Sequence, residues 1–181
     1  MKASNLYILC VASCLITQLM GAKANFNPNK WYRVQPLGHE KVWDIPHNDN
    51  GTQVCLHAPH GGNNQQFRFK KTRYSTWVIH PRSCQHKVLD IQEGSEENGV
   101  SLLLWDPQRP HTHKNQEFTL TRIGGPLYRI QNLKSGLSLC FNEHGHIIQA
   151  LDYTSASMVE LIEVGDYAQP GQPHWQEYRI N

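Results

Sequence analysis

Apolar side chains recur along this chain in short runs with a period of two, bounded by glycine, proline and asparagine. No stretch holds a helical period for more than a turn or two. Three of the runs are alike: WYRVQP at 31–36, TWVIHP at 76–81 and LYRIQN at 127–132. Each sets an aromatic ahead of alternating aliphatic and polar residues, the pattern of a half-buried strand. A second short run follows each at nearly constant distance. VWDI places Asp44 12 positions after Tyr32, VLDI places Asp90 13 after Trp77, and SLCF places Cys140 12 after Tyr128.

Third runs come after turn chemistry. NDNGTQVCLH and ENGVSLLLW put Asn-Gly before an apolar run, the dipeptide best suited to a tight hairpin, and NEHGHIIQA uses His-Gly in a shorter turn. Fourth runs follow in GGNNQQFRF (61–69) and HKNQEFTL (113–120), where Phe67 and Phe69 alternate inward as Phe118 and Leu120 do. From Phe67 to Trp77 and from Phe118 to Tyr128 the distance is 10 in both cases, so each fourth run leads at the same spacing into the next copy.

Such self-similarity decides architecture ahead of local propensity. Four short strands repeated three times predict an all-β chain, a β-trefoil with repeats at about 31–70, 76–121 and 127–164 around a pseudo-threefold axis. One copy cannot bury its apolar face alone, so the copies stabilise one another. For the last strand two stretches compete. VELIEV (159–164) puts Ile162 34 positions after Tyr128, close to the 35 between Tyr32 and Phe67, whereas HWQEYRI (174–180) has the better wording at a distance of 50. Spacing favours VELIEV, leaving 165–181 as a tail whose EYRI can pair on the outside of the barrel.

The first 24 residues stand apart. A single lysine, an apolar run that Gln18 interrupts, and GAKA with its small-x-small ending predict a secretory signal peptide cut after Ala24, followed by a short leader at 25–30. The mature chain is then expected to be secreted and extracellular. Removing Lys2 and Lys23 from 17 basic residues leaves 15, against 15 acidic ones. A balanced charge with no basic cluster argues against nucleic acid or an anionic membrane surface as the main partner, the lack of another long apolar segment argues against membrane insertion, and the one basic run, FRFKKTR (67–73), reads as a solvated strand end. Cys55, Cys84 and Cys140 remain, an odd number that allows one internal disulfide and a leftover thiol for pairing two chains into a homodimer. The cysteine spacing is not that of a zinc site. The sequon NGT at Asn50 marks a glycosylation site, expected to lie beside the first copy's Asp44.

The repeated NQQF and NQEF resemble the Gln-x-Trp signature of the ricin B-chain-type lectin trefoils, with Phe for Trp. VWDI and VLDI, followed by Asn-Gly and then LLLW, are similar to that family's order of aspartate, aromatic and Asn-Gln. The resemblance runs from 31 to 164. It implies a carbohydrate-binding protein, with galactose-type glycans and glycoproteins as partners. It also implies that the glutamine and aromatic anchor each fourth strand while the preceding asparagine faces a sugar.

The chemistry supports that reading independently. A pyranose offers hydroxyls that donate and accept and a face of C–H groups, so its site needs a fixed carboxylate, an amide and an aromatic plate. Copy two carries Asp90, Trp105, Asn115 and Gln116; copy one carries Asp44, His57, Asn64 and Gln65, with a smaller plate. Copy three has Cys140 in the aspartate's place and no amide before its last strand, so it is expected silent. Cys55 and Leu103 stand two residues before the plate, where these lectins often place a polar residue.

Motifs for nucleophilic or metal-dependent hydrolysis are missing, so no enzyme, no cofactor and no metal site are expected. Of the eleven histidines, the HTH and HGH pairs (His111, His113, His144, His146) lack a third ligand at set spacing. The competing class is a secreted trefoil that has lost sugar binding and serves as a protein-binding inhibitor or signal.

Overall fold

A computed structural model describes residues 26–108, 113–151 and 154–165. The predicted signal peptide and all but the first residue of the 165–181 tail lie outside the described residues. The first lobe comprises β1 (Trp31–Pro36), β2 (Val42–Asp44), β3 (Cys55–His57) and β4 (Phe67–Lys71). The second has β5 (Trp77–Pro81), β6 (Val88–Ile91), β7 (Leu102–Trp105) and β8 (Phe118–Gly124). The third has β9 (Leu127–Asn132), β10 (Ser138–Phe141), β11 (Ile147–Ala150) and β12 (Met158–Val164). Helical residues among those described lie only in single 3-10 turns, and no helix among them is long and apolar enough to cross a membrane.

First and fourth strands of the lobes build the barrel. β1 pairs with β4, β4 with β5, β5 with β8, β8 with β9, β9 with β12, and β12 returns to β1, a closed ring of six strands without a free edge. The second and third strands form the hairpins β2–β3, β6–β7 and β10–β11. Backbone bonds tie the hairpins to one another: Val54 N–H to Leu102 O at 3.0 Å, Ile147 N–H to Val54 O at 2.9 Å and Gln149 N–H to Val100 O at 2.8 Å. This is the β-trefoil.

The registers carry the pseudo-threefold relation down to single residues. Tyr32 faces Phe67, Trp77 faces Phe118, and Tyr128 faces Val159. Val159, not Ile162, therefore stands in the place of Phe67. The spacing that pointed to Ile162 fails because the third lobe has a shorter hairpin: five residues separate β10 from β11, against ten between β2 and β3 and ten between β6 and β7.

Equivalent positions meet in the core. Val34, Ile79 and Ile130 are buried together, as are Trp43, Leu89 and Leu139. Each such side chain is worth roughly 1.5–3 kcal/mol of transfer free energy. Phe26, in the leader before β1, is an addition that the repeat pattern does not contain. Its ring stacks on Tyr32 (centroids 5.2 Å) and meets Trp77 (5.0 Å), Phe69 (5.6 Å) and Tyr128 (6.1 Å) edge-on, filling the space among the leading aromatics of all three lobes.

Candidate functional site

Each fourth strand is entered through one 3-10 turn: Asn63–Gln65, Lys114–Gln116 and Ser155–Ser157. The turn directs its last two side chains back toward the second strand of the same lobe. In the second lobe they meet Asp90. Asn115 Nδ2 donates to both carboxylate oxygens at 3.0 Å, and Gln116 Nε2 donates to Oδ2 at 2.7 Å. Gln116 also donates to Asp106 O at 3.0 Å and accepts from Gln108 N–H at 3.0 Å, so its amide ties three segments together. That is the physical reason for Asn-Gln before each of the first two fourth strands: a buried carboxylate needs donors.

Asp90 is 5% exposed. Burial pushes its carboxyl above the ordinary range, and the bonds from Gln116 and Asn115 and the nearby His113 pull it back. Its exposed edge looks into a cavity of about 640 Å³. Trp105, which faces Val88 across the β6–β7 hairpin and is 40% exposed, lines the same cavity, as do Asn115 and His113. The structure thus brings the proposed carboxylate, plate and amide to one space. Gln116 is fully buried and supports Asp90 from behind. Asn115 does two things: it lines the cavity and its Nδ2 fixes the carboxylate. Leu103, opposite Asp90 in the hairpin, lies on the wall.

The first lobe repeats the scaffold with a different finish. Asp44 is 4% exposed and takes both oxygens' bonds from Asn64 Nδ2 at 3.1 Å and one from Gln65 Nε2 at 2.9 Å. Gln65 donates on to Ala58 O and accepts from His60 N–H, at 2.9 and 2.8 Å. Here, however, the imidazole of His60 lies on the carboxylate, Nε2 to Oδ2 3.1 Å, and His57 stands beside it with ring centroids 5.6 Å apart. His60 belongs to neither the HTH nor the HGH pair, and no expectation from sequence names it. The His-x-x-His spacing of 57 and 60 was the available signal.

In the third lobe Cys140 occupies the aspartate's place and faces Ile148, while Ala156 and Ser157 replace the Asn-Gln pair. No disulfide joins Cys55, Cys84 or Cys140. Cys84 and Cys140 are buried and Cys55 half-buried. Burial pushes the thiols of Cys55 and Cys84 up, so both stay protonated near neutral pH.

The position expected for the sequon needs correction. Asn50 belongs to the first lobe's hairpin, but the loop reaches over onto the second: Asn50 Nδ2 donates to Asp106 Oδ2 at 2.8 Å, Lys87 Nζ donates to Asn50 Oδ1, and Gly51 N–H donates to Leu104 O at 2.9 Å. A Cβ at Gly51 would come 3.7 Å from the Trp105 ring. The long-range packing of two hairpins, absent from local sequence, puts Asn50 next to the Trp105 cavity instead of beside Asp44.

Residues 23–105 match the family described as Ricin-type beta-trefoil lectin domain-like. The chain resembles the ricin-type β-trefoil lectins, in motif and in fold. Among solved structures, the designed threefold-symmetric protein ThreeFoil aligns over 74% of this chain and 99% of its own, with 20% identity and a TM-score of 0.68. The Rhizoctonia solani agglutinin aligns over 77% and 98%, at 16% identity and 0.65. The Polyporus squamosus lectin, solved with a Neu5Aca2-6Galb1-4GlcNAc epitope, aligns over 76% of this chain and half of its own, at 11% identity and 0.64. At these identities the likeness is one of fold. No curated protein matches the sequence.

Proposed function

We propose that this chain is a secreted, non-enzymatic lectin whose working site is the second lobe's cavity. The observation that carries the reading is the convergence of Asp90, Trp105 and Asn115 on one space of about 640 Å³. Asn115 and Gln116 hold the carboxylate still while acceptor capacity remains on Oδ1 for a sugar hydroxyl. Trp105 offers its exposed face to the C–H side of the ring. The Neu5Aca2-6Galb1-4GlcNAc epitope bound by the Polyporus lectin and the family match both support glycans as the ligand class, galactose-type sugars included.

In the first lobe the His60 imidazole already lies on Asp44 Oδ2, where the second lobe has no such ring on Asp90 among the described residues, so the sugar reading of Asp44, His57, Asn64 and Gln65 is the weaker of the two. One shallow site of this kind binds in the micromolar to millimolar range. Avidity for glycoproteins would then come from presentation of several chains together. The test is a glycan array probed with the full chain and with Trp105→Ala. Selective binding that the substitution weakens supports the lectin. Silence across all glycans, with the protein folded, overturns it in favour of a protein-binding trefoil.

Covering about 60 Å² of the indole at roughly 25 cal/mol per Å² is worth about 1.5 kcal/mol, so Trp105→Ala should weaken binding about tenfold.

A further inference from the structure

The geometry points to a divalent transition-metal site in the first lobe, built from Asp44, His57 and His60. One ligand atom from each side chain can be chosen so that all lie within 4.8 Å of one another. Bonds of about 2.0–2.1 Å in a tetrahedral arrangement set ligand atoms roughly 3.4 Å apart. The Asp44–His60 edge, at 3.1 Å, is already at that spacing. His57 is exposed and the His60 side chain is 43% exposed, so the remaining closure asks only for a small swing of two surface rings.

The supporting bonds have the arrangement metal sites use. Asp44 is fixed by the amides of Asn64 and Gln65, which orient a ligating carboxylate. His57 Nδ1 lies 3.1 Å from Ala58 O, so it carries the proton and leaves the Nε2 lone pair free for a metal. His60 has to change: its Nδ1 accepts from Gly62 N–H at 3.2 Å, which places the proton on Nε2 toward Asp44. A metal entering between Nε2 and Oδ2 moves that proton to Nδ1 and releases the Gly62 contact to water. No net proton is lost from the ring. Pro59 between the two histidines limits the loop's freedom, so the ligands are partly organised beforehand.

Two imidazoles and one carboxylate select zinc and its neighbours over calcium or magnesium, and three protein ligands leave a fourth position for water. At the equivalent place in the second lobe Trp105 stands where His57 does, so the described residues there lack that ligand. Lobes one and two therefore keep the same buried aspartate for different ligands, and the metal reading does not depend on the sugar reading.

The test is zinc titration of the full chain near neutral pH, in competition with a chromophoric chelator. One saturable site is expected, with affinity weakened at least roughly tenfold by His57→Ala and by His60→Ala. His86→Ala, His144→Ala and His146→Ala should leave it unchanged. His57 is exposed and makes no bond to the aspartate, so His57→Ala should unfold at the same urea concentration as the parent without zinc, whereas His60→Ala gives up a bond to buried Asp44 and should be folded but less stable. Absence of saturable uptake, or uptake indifferent to His57→Ala and His60→Ala, overturns the proposal whatever the glycan array shows.

Discussion

Replacing Gln116 with leucine tests why the Asn-Gln pair recurs. The side chain is fully buried and makes three bonds: to the Asp90 carboxylate at 2.7 Å, to Asp106 O at 3.0 Å and from Gln108 N–H at 3.0 Å. A bond to a charged acceptor contributes about 2 kcal/mol and each neutral one about 1, a total near 4. Leucine of similar volume returns about 1 kcal/mol through apolar burial, so the expected loss is about 3 kcal/mol. Urea unfolding followed by tryptophan fluorescence measures it.

The same substitution has a pH signature. Burial raises the Asp90 carboxyl, so the folded state binds its proton more tightly than the unfolded chain does. The stability tied to this group is fully present below the ordinary carboxylate value and is lost as pH rises through the raised one. Gln116 is the foremost donor opposing the rise, and removing it lifts the native value further. The penalty of Gln116→Leu should therefore be smaller in acid and larger at neutral pH. A loss under about 1 kcal/mol, or one that is flat with pH across the carboxylate range, would refute the claim that the glutamine exists to hold the charge.

Other outcomes follow from the same geometry. Phe26→Ala should cost about 2 kcal/mol in the same unfolding assay, below the fully buried range because the ring is only half-buried; a change under about 0.5 would mean that the leader is not part of the core. Cys140→Asp should destabilise by more than about 2 kcal/mol, since it creates a buried carboxylate in the lobe whose turn carries Ala156 and Ser157 in place of the amide pair, and a neutral result would show that the donors are dispensable. Expression in a secreting eukaryotic host should yield a chain that starts at Asn25 and carries a mass shift removed by peptide-N-glycosidase and by Asn50→Gln; an intact N-terminus contradicts the signal-peptide reading.

Much of the fold was legible because a threefold recurrence repeats each local signal. The β2 and β6 aspartates and the Gln-x-Phe turns stand in the chain at matching intervals, and alternation marks the strands. What escaped depends on loops and long-range packing. Val159 replaces Ile162 because the third lobe's hairpin is shorter, an effect that a constant-spacing ruler cannot see. Phe26 is a lone apolar residue in a polar leader, and only the meeting of three lobes gives it neighbours. Asn50 lies near Asp44 in sequence but is held by Lys87 and Asp106. His60 carries no periodic signal, and its role follows from a turn that folds it onto Asp44.

We propose that the second lobe's cavity grips a saccharide between a carboxylate and an indole. The most direct test is a titration of the isotope-labelled chain with the best array glycan, followed by amide and indole NMR resonances. Saturable shifts are expected at the Trp105 indole N–H and the Asn115 side-chain amide, with the β10–β11 hairpin unmoved. Shifts confined to the first or third lobe, with Trp105 silent, would contradict it.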